Sequence, residues 1–331
     1  MRRYFTRKII TYIVAFFVGT TIDWGIPRLM PGNPVEIYLS KFTLESNGAW
    51  QKLNKVFTQA FGLSTPAWDQ YLHFWDGVLH GNFGVSYYDF PEPVTHVIRD
   101  AVPYTLALLV PAIVLSYVLG NRVGALAARR KSLDNTILPI GYIFQATPYA
   151  WLALAMAYYL GAVAKWFPIG GGYSESMLPN ASWSFVASLL DHWFLPFLTV
   201  FLVSFGGWAI GMRNLVIYEL ETDYARYLRS LGASERLVRK YAYRNAVLPQ
   251  LSGLALQLGV IVGGNIVTEV VFNYPGLGLL IYHAIIDEDY FLLQGIFLFI
   301  IIGVLLANFL IDIVYVIVDP RTRLSMQGAK A

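Results

Sequence analysis

Cysteine is absent from the 331 residues. That excludes a disulfide framework, a thiolate metal site and a cysteine nucleophile, and it leaves the redox compartment undetermined. Charge is scarce as well. Asp, Glu, Lys and Arg make up 14% of the chain, against about 25% in an ordinary soluble domain. There is no GxxxxGK[ST] phosphate loop and no GxGxxG turn between a strand and a helix, so the chain carries no recognisable nucleotide-binding fingerprint of its own. The five histidines, His73, His80, His96, His192 and His283, are scattered, and His73 and His80 at seven apart make a poor ligand pair. No nucleophile, base and orienting group can be argued to meet, which leaves no catalytic constellation.

What is present is apolar. Hydrophobic residues make up 56% and the mean hydropathy is +0.51, which marks an integral membrane protein. The net charge of +3 does not point to nucleic acid, because the bases lie between apolar runs rather than on one soluble face. A bilayer crossing needs about 20 mostly apolar residues. Six windows qualify, at about 9–29, 103–128, 136–163, 193–212, 249–272 and 291–318. All are too long and too uniformly apolar for barrel strands. The first, with its basic start, also has the look of a signal peptide. No small-x-small cleavage site follows Ile22, so an uncleaved first helix is expected.

Lys and Arg mark the cytoplasmic side. Arg2, Arg3, Arg7 and Lys8 precede the first window, Arg129, Arg130 and Lys131 follow the second, a basic stretch follows the fourth, and Arg321 and Arg323 follow the sixth. These four sets share one side. Residues 273–290 have neither Lys nor Arg but carry Asp287, Glu288 and Asp289. Both termini are therefore expected in the cytoplasm and residues 30–99 outside. Within 30–99, Trp50, Leu53, Val56, Phe57 and Ala60, and then Trp68, Tyr71, Leu72, Trp75 and Leu79, recur at helical spacing. They predict two short amphipathic helices at the membrane interface.

The basic stretch, "DYARYLRSLGASERLVRKYAYRNAVLP" at 223–249, is patterned beyond what topology requires. Ser234 reads as a helix start and Pro249 as the start of the next membrane helix. A second short helix precedes Gly232, which would sit at the turn between the two. Asp223-Tyr224-Ala225-Arg226, Gly232-Ala233-Ser234-Glu235, Arg244-Asn245-Ala246 and Leu248-Pro249 resemble the coupling loop of ABC-transporter permeases, in the form of the dipeptide/oligopeptide importers. "LMPGNP" at 29–34, "GLSTPAWDQY" at 62–71, "GNFGVS" at 81–86, "VFNYPGLG" at 271–278 and "VDPRTR" at 318–323 resemble stretches of that family in the same order. One departure stands out. Arg226-Tyr227-Leu228 occupies the place of the Glu-Ala-Ala that general importers carry six residues before the glycine, which implies a differently shaped partner cleft.

The resemblance implies an all-α integral membrane protein with six transmembrane helices, an extracytoplasmic region between helices 1 and 2, and a cytoplasmic coupling loop between helices 4 and 5. Residues 1–99 would hold the first membrane helix and the external region, 100–320 a permease core of five helices, and 321–331 a cytoplasmic tail. The implied partners are a second, similar permease subunit, two ATP-binding subunits, an extracytoplasmic substrate-binding protein and the lipid bilayer, with no nucleic acid. ATP and Mg would be bound by the partner ATPases and no cofactor by this chain, which would not be an enzyme. The substrate would be a di- or oligopeptide, with an oligosaccharide or nickel as alternatives.

The coupling residues would be Asp223, Tyr224, Ala225, Arg226, Tyr227, Leu228, Gly232, Ala233, Ser234 and Glu235. Gln257, Asn265, Thr268 and Glu269 are polar residues in the fifth window, where polar side chains are costly unless they face protein or a water-filled cavity. They are candidates for lining the pathway or for interhelical hydrogen bonds. Gly253, Gly259, Gly263 and Gly264 are expected to let helices approach closely. Asp23 and Asp312 are expected to be structural, near helix ends where water reaches them. An intramembrane enzyme would need more convergent acids than Glu269 and Asp312. A secondary transporter should show an inverted repeat, and none is visible.

Overall fold

The computed structural model describes residues 2–29, 34–40, 47–60, 64–261 and 265–318. Among these the chain is helical, with no strand longer than an isolated bridge. The α-helices are α1 (Arg2–Gly25), α2 (Pro34–Ser40), α3 (Asn47–Ala60), α4 (Ala67–His80), α5 (Val94–Ala127), α6 (Lys131–Ala146), α7 (Tyr149–Met156), α8 (Trp183–Glu221), α9 (Asp223–Ser230), α10 (Glu235–Ile261), α11 (Ile266–Val271), α12 (Leu277–Ile286) and α13 (Tyr290–Val318). A short 3₁₀ turn, Pro27–Leu29, follows α1. The cytoplasmic tail expected at 321–331 lies outside the described residues.

Among the described residues, four segments are long and apolar enough to cross a membrane: Thr6–Leu29, Val94–Ala127, Trp183–Glu221 and Tyr290–Leu310. The third window, read from sequence as one crossing, is two helices. α6 and the segment Tyr149–Val163 are bent by 99°. The cause is local: proline disfavours the helical region for the residue before it, and Thr147, ahead of Pro148, is extended at φ −78, ψ 122. Beyond α7 the backbone widens into a π-helical turn, Ala157–Val163, closed by the Ala164 N–H on the Tyr159 carbonyl at 2.9 Å. The window at 249–272 is divided between α10 and α11, with 262–264 outside the described residues. Pro249 does not start a new helix, because α10 runs through it, at the cost of the donor that the Asn245 carbonyl would otherwise receive.

The chain divides into two compact units. In the first (1–103 with 276–331), α1 packs along α13. Lys8 Nζ lies 2.9 Å from Asp312, which also accepts the Tyr12 hydroxyl. Asp312 thus has the structural role expected of it. α4 lies on α1, with Trp75 stacked on Phe17 at 5.2 Å and Tyr71 edge-on to Trp24 at 5.1 Å. α3 places Trp50, Leu53 and Phe57 on buried Val35, Leu39 and Tyr87. The two amphipathic helices of the 30–99 region are therefore present, although Val56, Trp68, Leu72 and Leu79 are exposed.

In the second unit (104–275), α8 is the central helix and its small residues permit close approach. A Cβ on Gly124 would lie 2.1 Å from the Ala209 carbonyl, and one on Gly206 2.5 Å from that of Gly141. Of the glycines singled out by sequence, Gly253 lies against the Trp208 indole, Gly259 falls in α10, and Gly263 and Gly264 lie outside the described residues. Arg213 of α8 grips Asp134 of α6 with two hydrogen bonds of 2.8 and 2.7 Å.

Candidate functional site

The 222–246 region of the second unit is built by a sequence of local stops. Thr222 is extended at φ −69, ψ 159, which ends α8 and caps α9. Its carbonyl accepts the N–H groups of Ala225 and Arg226, both at 3.1 Å. α9 closes at its far end with the Gly232 N–H on the Arg229 carbonyl (2.9 Å) and the Ala233 N–H on the Leu228 carbonyl (3.0 Å). This is the paired pattern of a Schellman cap, which needs a left-handed residue at the turn. Gly232 supplies it at φ +76. The Ser234 carbonyl then accepts from Leu237 and Val238 and begins α10. The glycine therefore sits between the 8-residue α9 and the 27-residue α10, where the sequence predicts two short helices.

Two side chains tie this elbow to the end of α8. Glu219 accepts the Tyr224 hydroxyl of α9 at 2.8 Å and the Asn245 amide of α10 at 3.2 Å, both on Oε2. Arg229 donates from Nη1 to the Leu220 carbonyl (2.9 Å) and from Nε to Glu235 (2.8 Å). Three helix ends are joined by one carboxylate and one guanidinium. Burial and the Glu219 carboxylate push the Tyr224 phenol above its ordinary pKa, and the hydrogen bond from Arg229 holds the Glu235 carboxyl below its own. The Asp223–Arg226 pair, at 3.8 Å and exposed, adds little.

Of the ten residues assigned to this loop from sequence, Ala225 is fully buried, Tyr224, Leu228 and Ala233 are half-buried, and Asp223, Arg226, Tyr227, Gly232, Ser234 and Glu235 are exposed. The outward surface has an apolar centre, with Tyr227 64% and Leu231 65% exposed one turn apart. Glu219, Arg229 and Leu231 were not singled out by sequence. The available signal was a carboxylate at the end of a span, five residues before a tyrosine.

The four polar residues of the fifth window do not form one surface. Gln257 donates to Ser204 Oγ of α8 at 3.1 Å, and Ser204 lies 3.3 Å from the Tyr149 hydroxyl. This is the interhelical bond that was the alternative to pathway lining. Asn265 caps α11 through the Thr268 N–H. Thr268 and Glu269 are fully buried, and Glu269 accepts the Thr105 hydroxyl of α5 at 2.9 Å. Packing of α11 within the unit encloses both.

Asp23 corrects another expectation. It is 1% exposed, and among the described residues neither carboxylate oxygen has a hydrogen-bond partner. Position near a helix end does not leave it open to solvent, because the face of α1 carrying Thr20 and Asp23, continued by Pro27 of the 3₁₀ turn, is packed. In the first unit, Asp289 is a polar anchor that sequence reading used only as a topology marker. Oδ2 accepts Ser86 Oγ (2.6 Å) and the N–H groups of Tyr87 (2.6 Å) and Tyr88 (3.0 Å), while Oδ1 accepts the Leu292 N–H (3.0 Å). It caps α13 and fixes the 86–88 loop. Burial pushes its carboxyl up, against the pull of these donors. Among the described residues no three His, Asp or Glu side chains converge as metal ligands would.

Residues 120–324 match the family described as binding-protein-dependent transport system inner membrane component. The chain is similar over nearly its whole length to three transport proteins. It is 28% identical to the oligopeptide transport system permease protein AppB of Bacillus subtilis (strain 168), over 97% of this chain and 99% of that one. To the di/tripeptide transport system permease protein DppB of Pseudomonas aeruginosa (strain UCBPP-PA14) it is 28% identical, over 98% and 99%. To the dipeptide transport system permease protein DppB of Escherichia coli (strain K12) it is 27% identical, again over 98% and 99%.

Proposed function

The chain belongs to the family of binding-protein-dependent transport system inner membrane components, and from that premise we propose that it is one permease subunit of a peptide importer. It pairs with a second, similar permease and is driven by two separate ATP-binding subunits. An extracytoplasmic binding protein delivers a di- or oligopeptide. The three relatives are named for such substrates, and that supports peptide over oligosaccharide or nickel. No phosphate loop occurs in the chain, in keeping with hydrolysis on other subunits.

The observation that carries the coupling role is the elbow at Gly232. Tyr227 and Leu231 form an exposed apolar tip, and the helix bearing them is tied through Glu219 to both α8 and α10. An ATPase subunit gripping that tip would move two membrane helices together. Six crossings follow if α6 with α7 forms one broken span and α10 with α11 the remaining one. Both termini and the elbow then face the cytoplasm. Because the chain has no cysteine, single cysteines at exposed Ser64 and Ser234 should divide cleanly: an impermeant thiol reagent on intact cells labels the first and spares the second. Labelling of Ser234→Cys would overturn the orientation.

The test of function is uptake by the reconstituted complex in proteoliposomes. With ATP and peptide-loaded binding protein, labelled peptide should accumulate. Accumulation without ATP would mean a secondary transporter, and ATP-driven uptake of sugar but not peptide would reassign the substrate.

A further inference from the structure

α10 carries a second surface, separate from the elbow. Arg236, Lys240 and Arg244 are exposed and spaced at i, i+4 and i+8, so at 3.6 residues per turn successive members are offset by only about 40° and form one stripe roughly 12 Å long. The packed face of the same helix is Val238, Ala242 and Ala246, each fully buried. Those residues lie two positions from the stripe, about 160° around the helix. The stripe therefore points away from the unit that α10 belongs to.

The neighbouring bases are engaged: Arg229 is bonded to Glu235, and Arg239 lies 4.0 Å from the same carboxylate. Among the described residues none of the three stripe bases has an ion-pair or hydrogen-bond partner. α10 runs without a break from the stripe into the predominantly apolar stretch 246–261. Arg244 is thus two residues from that stretch, and exposed Tyr241 stands beside it, at the depth where aromatic side chains suit the bilayer interface.

We infer that this stripe is a binding site for anionic lipid headgroups, its three cations spanning phosphates of the leaflet on the elbow's side. Two properties favour lipid over protein: the bases climb one helix toward the apolar stretch, and they face outward from the packed core. An anionic surface attracts each nearby base enough to raise affinity about fivefold, so three supply about a hundredfold. The inference rests on the membrane-permease reading only in placing α10 at a bilayer surface.

The test uses the full chain with its partner subunits in nanodiscs containing phosphatidylcholine with phosphatidylglycerol. Bound lipid is read by native mass spectrometry, and ATPase subunits are scored by co-purification. Wild type should hold phosphatidylglycerol in preference to phosphatidylcholine, and that preference should weaken as salt is raised. The triple variant R236Q/K240Q/R244Q should lose the preference by about a hundredfold while still co-purifying with the ATPases. A control, K52Q/K55Q, removes two bases of α3 and should keep it. An unchanged preference in the triple variant overturns the inference. So does loss of the ATPases with the lipid preference intact, which would make the stripe a protein contact. Failure of wild type to co-purify with any ATPase would instead sink the transport reading, and the lipid comparison reads out independently on the same preparation.

Discussion

Replacing Gly232 by valine isolates the conformation of the elbow from its packing. A Cβ at this position would meet nothing within 4 Å, so the substitution introduces no clash and its cost is confined to the backbone. At φ +76 an L residue pays about 1–2 kcal/mol, comparable with one of the two hydrogen bonds that close the Schellman cap. A change of that size shifts the balance between the native elbow and any alternative by about 5–30-fold. Asparagine visits the left-handed region more readily, which makes Gly232→Asn the control that adds a side chain with less strain. Both variants should assemble, because the membrane helices are untouched. In the reconstituted complex, Gly232→Val should lose peptide uptake, and the stimulation of ATP hydrolysis by loaded binding protein, by a factor within that 5–30-fold range. Gly232→Asn should stay near wild type. A valine variant that transports normally would show that this turn's conformation is irrelevant to coupling. If asparagine did equal damage, the cause would be the added side chain on an exposed surface rather than the dihedral angle.

The bond between Tyr224 and Glu219 can be measured by a double-mutant cycle. Tyr224→Phe and Glu219→Gln should show an interaction energy of about 1–2 kcal/mol in thermal or denaturant stability, and strict additivity would mean the bond holds nothing. Asp289→Ala strips the acceptor from four donors at once, each costing about 1–3 kcal/mol if left unsatisfied. The purified protein should melt well below wild type and below Asp289→Asn, and a wild-type melting curve for Asp289→Ala would refute the anchoring role. Asp23→Val removes an enclosed carboxyl that has no hydrogen-bond partner among the described residues and should stabilise the protein by about 1–3 kcal/mol. A lower melting temperature would show that Asp23 has a bonding role this conformation does not display.

Much of this arrangement was legible because its causes are local. The glycine between α9 and α10, the amphipathic spacing of Trp50 to Ala60 and of Trp68 to Leu79, and the apolar windows all follow from residues within a few positions of one another. The break at Thr147–Pro148 was also local, but an apolar window averaged over it and concealed a proline that the backbone could not. What sequence could not give were the partners of polar side chains. Asp23 and Asp312 look alike in sequence, each an acid in an apolar helix. Asp312 meets Lys8 and Tyr12, some three hundred residues distant in the chain, whereas among the described residues Asp23 has no hydrogen-bond partner. Gln257 and Glu269 were likewise recognisable as costly in an apolar setting, but whether that cost is met by water or by a neighbouring helix depends on Ser204 and Thr105, which no spacing rule connects to them.

The network around Glu219 bears on how force would pass through the elbow. A single glycine between two helices suggests a hinge, yet both cap hydrogen bonds of Gly232 are made and Arg229 spans the turn from the Leu220 carbonyl to Glu235. Bending at Gly232 would break at least the Arg229 link, and moving α9 alone would break the Tyr224 bond to Glu219 as well. Moving α8, α9 and α10 as one body breaks none of them. The lower-energy response to a pull on Tyr227 and Leu231 is therefore displacement of the whole element. On this account, if the elbow couples to a partner as proposed, the positive φ of Gly232 would set the angle of a rigid lever, and the bending that accompanies transport would take place elsewhere in α8 and α10. Pro196 in α8 and Pro249 in α10 lie within those helices, and each removes a backbone hydrogen bond at a point where a helix bends most easily.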